Sequence, residues 1–232
     1  MERAPPLTWV VRYAGPHYHP NMPDNTVSTL CKSITRWTRT EEALLKRLST
    51  PEKLQQFLDE TEYRSEDGHL PAVRVLRDRK AHCFDGALFS AAVLTRTLIA
   101  PRIIDLCAVK DDDHLICAYR WKGRWGAVSK SNFPGLRFRE PVFRSPRELA
   151  LSYFESYFNL FREKTLRQYS QPVSLPPIKD LDWECDPNAP DVVLEKLSRA
   201  RHYDILLPGQ ARGLLSVEKK FFRSQTVGMA SR

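Results

Sequence analysis

Cys83 stands at the head of an apolar run, Phe84, Ala87, Leu88, Ala91, Ala92 and Leu98, and this juxtaposition constrains the chain more than any other feature. Spacings of three and four residues predict a helix with a buried face, and His82-Cys83 marks where it starts. A thiol at a helix start meets the positive end of the helix dipole and the unsatisfied N–H groups of the first turn. Those groups favour the thiolate, the form that attacks carbonyl carbon. Cys83 is therefore a candidate nucleophile. Thirty-one residues on, His114 opens the alternating stretch His-Leu-Ile-Cys-Ala-Tyr-Arg-Trp, which predicts a strand and supplies a candidate base.

The rest of the chain falls into order around that pair. Pro5, Pro6, Pro16, Pro20 and Pro23 break any long element, so residues 1–38 read as an irregular N-terminal extension. A helix is expected from Thr40 with Leu44, Leu45 and Leu48 on one face, and a second with Thr50 as N-cap and Pro51 at its first position. After the Cys83 helix come a buried strand (Ile103–Val109), the Asp111-Asp112-Asp113 turn, and two strands, 114–121 and 125–131, about Lys122-Gly123-Arg124. Ser145-Pro146 opens a helix whose apolar stripe runs Leu149, Tyr153, Phe154, Tyr157, Phe158, Phe161. The expected division is a core over 39–165, a linker and helical addition over 166–223, and a disordered tail over 224–232.

The net charge of +8 is uneven: Arg120 to Arg147 carries eight Arg or Lys against Glu140 alone. Such a strip is either a solvated face engaged in salt bridges or a rim for an acidic partner. Nucleic acid is the weaker reading, because no RRM, KH or zinc-finger signature accompanies the charge. Five cysteines at 31, 83, 107, 117 and 185 show no paired short spacing, which argues for free thiols in a reducing, cytoplasmic setting. No stretch approaches the ~18 apolar residues of a membrane span, so no membrane partner is expected. No CxxC, HxxxH or EF-hand spacing appears, so neither metal nor cofactor is expected.

A base needs an orienting partner, and strand pairing limits the choice. A three-residue turn sets Trp121 opposite Trp125 and His114 opposite Asn132; a two-residue turn sets His114 opposite Ser131, with Ser129 diagonal on the same face. Either arrangement brings a polar side chain to the imidazole and would fix which ring nitrogen faces the thiol. Asp85, one turn into the helix, is a further candidate, though at that position a carboxylate more readily stabilises the helix start.

The segments Ala81-His82-Cys83-Phe84-Asp85-Gly86-Ala87-Leu88-Phe89, Asp112-Asp113-His114 and Gly123-Arg124-Trp125-Gly126-Ala127-Val128-Ser129-Lys130-Ser131-Asn132 resemble the transglutaminase-like superfamily. The resemblance covers roughly residues 60–160. It implies an α+β, papain-like fold with the nucleophile helix packed on a small antiparallel sheet, Cys83 as nucleophile and His114 as general base. Members act on amides as transferases, proteases or amidases, and some have lost activity; cofactors are not a general requirement. The implied function is thiol-dependent acyl transfer on a protein or peptide substrate, by a cysteine hydrolase rather than a cross-linking transglutaminase. The family usually carries an aspartate where this chain has Ser129. Asn132 is the preferred substitute, with Ser129 the other member of the candidate set Cys83, His114, Asn132, Ser129. The rival expectation is a catalytically degenerate module that binds an acidic partner or nucleic acid through the 120–147 strip.

Overall fold

The structure, a computed structural model, describes residues 36–66, 68–175 and 182–227. Helix α1 (Arg39–Arg47) starts with a capping box, in which Thr38 Oγ1 accepts the Glu41 N–H at 3.2 Å and the Glu41 carboxylate accepts the Thr38 N–H at 2.7 Å. Of the leucines expected to share its inner face, Leu45 is buried but Leu44 is exposed. Helix α2 (Pro51–Asp59) has Thr50 as N-cap and Pro51 in its first turn, as the sequence predicts. Short parallel strands β1 (Glu62–Tyr63) and β2 (Lys80–Ala81) flank α3 (Ala72–Asp78) and lead into α4 (Cys83–Leu94).

The class is α+β. Strands β3 (Arg102–Ala108), β4 (His114–Trp121), β5 (Arg124–Val128), β6 (Arg139–Phe143), β7 (Leu166–Ser170) and β8 (His202–Asp204) form an antiparallel sheet in the order β6-β5-β4-β3-β7-β8. The β4–β5 ladder pairs Trp121 with Arg124, so the turn has two residues and not three. Lys122 (φ 46°) and Gly123 (φ 80°) both take left-handed backbone, which is what a tight hairpin with the native strand twist demands.

Alternation along the strands divides the core into two layers. Ile103, Leu115, Cys117, Tyr119 and Val128 face α4, with α1, α2, α3 and the helix α6 (Ala189–Ser198) closing over it. Ile104, Leu106, Ile116, Ala118 and Ala127 face the other way, onto Leu149, Ala150, Tyr153 and Tyr157. Phe84, Leu88 and Phe89 of α4 are essentially fully buried, and each such side chain contributes about 1.5–3 kcal/mol. That burial anchors the helix and so holds its N-terminus in place.

Three expectations are corrected. Leu166–Ser170, inside the stretch expected to be a linker and addition, is a strand in the body of the sheet, its pattern masked by the polar Arg167 and Gln168. The helix opened by Ser145-Pro146, α5 (Pro146–Leu151), stops well short of Phe161. There Ser152 folds its hydroxyl back onto the Leu149 carbonyl while Arg139 takes the Ser152 carbonyl and hydroxyl, and Phe161 is left 82% exposed. Ser224 and Gln225, expected in the disordered tail, end α7 (Lys219–Gln225), whereas residues 228–232 of that tail and 1–35 of the extension lie outside the described residues. Among the described residues no helix is long and apolar enough to cross a membrane.

Candidate active site

The N-terminus of α4 is built by its own first turn. His82 is the N-cap: its Nδ1 accepts the Asp85 N–H at 3.4 Å while Asp85 Oδ2 accepts the His82 N–H at 3.2 Å. Asp85 is fully buried and also accepts from the Leu70 N–H (2.8 Å) and Arg64 Nε (3.2 Å). Its carboxylate is consumed in holding the helix start, so it does not orient His114. With Nδ1 accepting, His82 Nε2 carries the proton and faces the Gly68 carbonyl (3.1 Å) and His69 Nδ1 (3.0 Å). Asp85, His82 and His69 lie close enough to be imagined around a metal ion, but Asp85 is already fully engaged with donors.

Gly86 sets the approach between α4 and the segment after β5. A Cβ there would lie 2.6 Å from Lys130 Cβ, closer than packed carbons come. Lys130 is itself buried, its Nζ donating to the carbonyls of Leu58 (2.8 Å) and Thr61 beyond the C-terminal turn of α2. Burial lowers its ammonium to about 8.

Cys83 is the first residue of α4 and half-buried. The β4–β5 ladder ends at Cys117–Val128, because the backbone of Ser129 turns to Gln55: its N–H donates to Gln55 Oε1 (3.1 Å) and its carbonyl accepts from Gln55 Nε2 (3.0 Å). Beyond that point the edge of β4 is open to the sulfur. Cys83 Sγ lies 3.8 Å from the Asp113 carbonyl, to which it donates, and accepts from the Leu115 N–H. It is thus seated on the backbone groups immediately before and after His114.

His114 opens β4 with its ring on the sheet face opposite α4, packed edge-on against Tyr153 and Tyr157 at centroid distances of 6.3 and 6.4 Å. Its Nε2 is 2.9 Å from the Leu136 carbonyl. A carbonyl only accepts, so Nε2 carries the proton and the neutral ring keeps its lone pair on Nδ1, which has no protein hydrogen-bond partner among the described residues. Ser129 Oγ donates to the same carbonyl at 2.7 Å. The orienter of His114 is thus the Leu136 main chain, with Ser129 beside it. Asn132 makes no hydrogen bond among the described residues, and the two-residue turn removes the register that set it opposite His114. No local sequence signal marks a backbone carbonyl as the partner; the loop that delivers it is fixed by a 3-10 turn at Pro134–Leu136.

The electrostatics favour neutral partners. Burial, with a smaller contribution from the Asp85 charge, pushes the Cys83 thiol up to about 12 against the help of the Leu115 N–H. Burial and the Arg139 guanidinium bring His114 down to about 4, although its bond to Leu136 pulls the other way. Tyr63 lies within electrostatic reach of Cys83, and Tyr157 donates to the carbonyls of Leu106 and Asp112. At neutral pH the thiol and imidazole are both uncharged.

The basic strip is divided between cations engaged within the fold and cations open to solvent. Lys130 is buried, Arg137 binds Asp59 and the Ser131 carbonyl, Arg139 lies over Tyr153 and binds the Gly135 carbonyl, and Arg147 binds the carbonyls of Asp204 and Ile205. Arg120, Lys122, Arg124, Arg144 and Arg147 are exposed. The four described cysteines are free. No family model matches this chain, and no curated protein matches it.

Proposed function

We propose that the chain is a transglutaminase-like thiol enzyme that transfers the acyl group of an amide or peptide bond, with Cys83 as nucleophile and His114 as general base. What carries the reading is one arrangement: Cys83 Sγ sits in the first turn of α4, against the backbone on either side of a histidine whose Nε2 is committed to a carbonyl, leaving Nδ1 as the acceptor. The site rests as a neutral thiol and a neutral imidazole. Sγ attacks the substrate carbonyl as its proton passes to Nδ1, a transfer that requires the imidazole, which packs on the other face of the sheet in the resting site, to reach the sulfur past the open edge of β4, and the Cys83 N–H at the helix start faces the developing oxyanion. Collapse of the tetrahedral adduct returns the proton from Nδ1 to the leaving amine. Water or a second amine resolves the thioester, and hydrolysis is the favoured outcome.

An electrophilic glutaminyl or peptidyl probe tests this reading. Covalent labelling is expected at Cys83, abolished by Cys83→Ala and strongly reduced by His114→Ala in folded protein. Labelling that ignores His114, or that maps to another cysteine, overturns it. The second reading, a module that has lost turnover, is favoured by the Ser129 hydroxyl standing where a carboxylate would stabilise the imidazolium, and complete inertness of Cys83 toward substrate-like probes would select it.

A further inference from the structure

Asp105 and Cys107 alternate along β3, so both side chains stand with Ile103 on the α4 face of the sheet. Ser170 of β7 pairs with His202 of β8, and its hydroxyl accepts the Asp105 N–H at 2.9 Å. Asp105, Ser170 and His202 therefore make one row across three strands. Because Ser170 is small, the imidazole reaches across it, and His202 Nε2 comes to 3.8 Å from Asp105 Oδ2. One ligand atom from each of Asp105, Cys107 and His202 lies within 4.8 Å of the other two.

This cluster is short of positive charge and of donors. Asp105 is 7% exposed, yet its Oδ1 has no hydrogen-bond partner among the described residues, a costly state for a carboxylate oxygen. The Asp113 carboxylate is held close by through the Ala108 N–H at 2.7 Å. Against two carboxylates and a thiol stands one imidazole. A divalent cation would supply both the missing charge and the missing partner for Oδ1.

We propose that Asp105, Cys107 and His202 hold one divalent transition-metal ion of the zinc class. Thiolate, imidazole and carboxylate are the donor set that zinc accepts in tetrahedral geometry, with a fourth position left for water. On binding, the Cys107 S–H bond breaks, a metal–sulfur bond forms, and the proton leaves to solvent. Neutral His202 gives its Nε2 lone pair, and Asp105 gives a carboxylate oxygen. The ion would clamp β8 to β3 across β7. Cys107 and His202 are 95 residues apart, which is why no spacing motif announces the set.

The test uses the full chain, stripped with a chelator and titrated with cobalt(II), whose thiolate complexes absorb in the near ultraviolet. One equivalent is expected to bind with a thiolate-to-cobalt band, and zinc is expected to displace it. Cys107→Ser should abolish the band, and His202→Ala or Asp105→Asn should weaken binding at least tenfold. Cys83→Ser and Cys31→Ser should leave it intact, which separates this outcome from that of the acyl-transfer reading. The metal should also raise the melting temperature of the wild type and not of Cys107→Ser. Absence of binding, a band that survives Cys107→Ser, or a band lost with Cys83→Ser or Cys31→Ser overturns the proposal.

Discussion

His114 makes the protein acid-sensitive in a way that can be isolated. Its ring is 5% exposed, and burial together with Arg139 brings it from an ordinary value of 6.5 to about 4. The unfolded chain therefore binds a proton there that the folded chain refuses, so this residue's contribution is complete above pH 6.5 and is lost as pH falls toward 4. A fall from 6.5 to about 4 is worth roughly 3 kcal/mol of acid-sensitive stability. Linkage with those two values places roughly 1 kcal/mol of the loss by pH 5.5 and most of the rest by pH 4.5. His114→Gln keeps an amide N–H for the Leu136 carbonyl but cannot take up the proton. At pH 8 the variant should be less stable by about 1–2 kcal/mol, through lost packing against Tyr153 and Tyr157. Urea unfolding of both proteins at pH 8, 5.5 and 4.5 should show that gap closing and then reversing. Carboxylates common to both proteins cancel in the difference. A gap that stays constant with pH would refute the buried, neutral assignment and with it the Nε2–Leu136 tautomer.

Iodoacetamide should alkylate Cys83 slowly at pH 7, with a rate that still climbs above pH 9, because burial holds its thiol at about 12; a plateau near pH 6 by mass mapping would show a resting ion pair instead. Gly86→Ala should cost about 2 kcal/mol by forcing a Cβ against Lys130, lowering the melting temperature by roughly 4–8 °C, and an unchanged thermal scan would contradict the close approach. Asp85→Asn should cost about 3 kcal/mol in denaturant unfolding, since it removes the buried carboxylate from Arg64. The same change should speed Cys83 alkylation, because the Asp85 charge opposes the thiolate, and slower alkylation would refute that coupling.

What was legible in the sequence was local. The Thr50-Pro51 start of α2, the thiol at the head of α4 and the alternating strands on either side of Lys122-Gly123 each follow from a few neighbouring residues. The register of that hairpin was not, because the left-handed backbone falls on Lys122, a residue that gives no turn signal of its own. One residue of register separates Asn132 from Ser131 as the position facing His114, and the ladder ends at Val128 before either is paired, so the orienting partner was the least legible part of the site. Strands β7 and β8 were hidden for a different reason: their polar residues pair with one another across the sheet edge, as Gln168 does with Asp204 at 2.7 Å, and leave no apolar alternation to read.

The same contacts explain why the site is built on a main-chain partner. The Leu136 carbonyl takes donors from both His114 Nε2 and Ser129 Oγ, which fills its two lone pairs without placing a charge in the core. A carboxylate at position 129 would stabilise the imidazolium, but it would face that carbonyl without the hydroxyl proton that now satisfies it. Arg139 already lies over Tyr153 and acts against a positive ring at His114. Ser129 therefore suits a histidine kept neutral and fixed in one tautomer. That arrangement gives up the resting thiolate–imidazolium pair, so under the proposed acyl-transfer reading formation of the nucleophile depends on a substrate that excludes water and stabilises the charge as it develops.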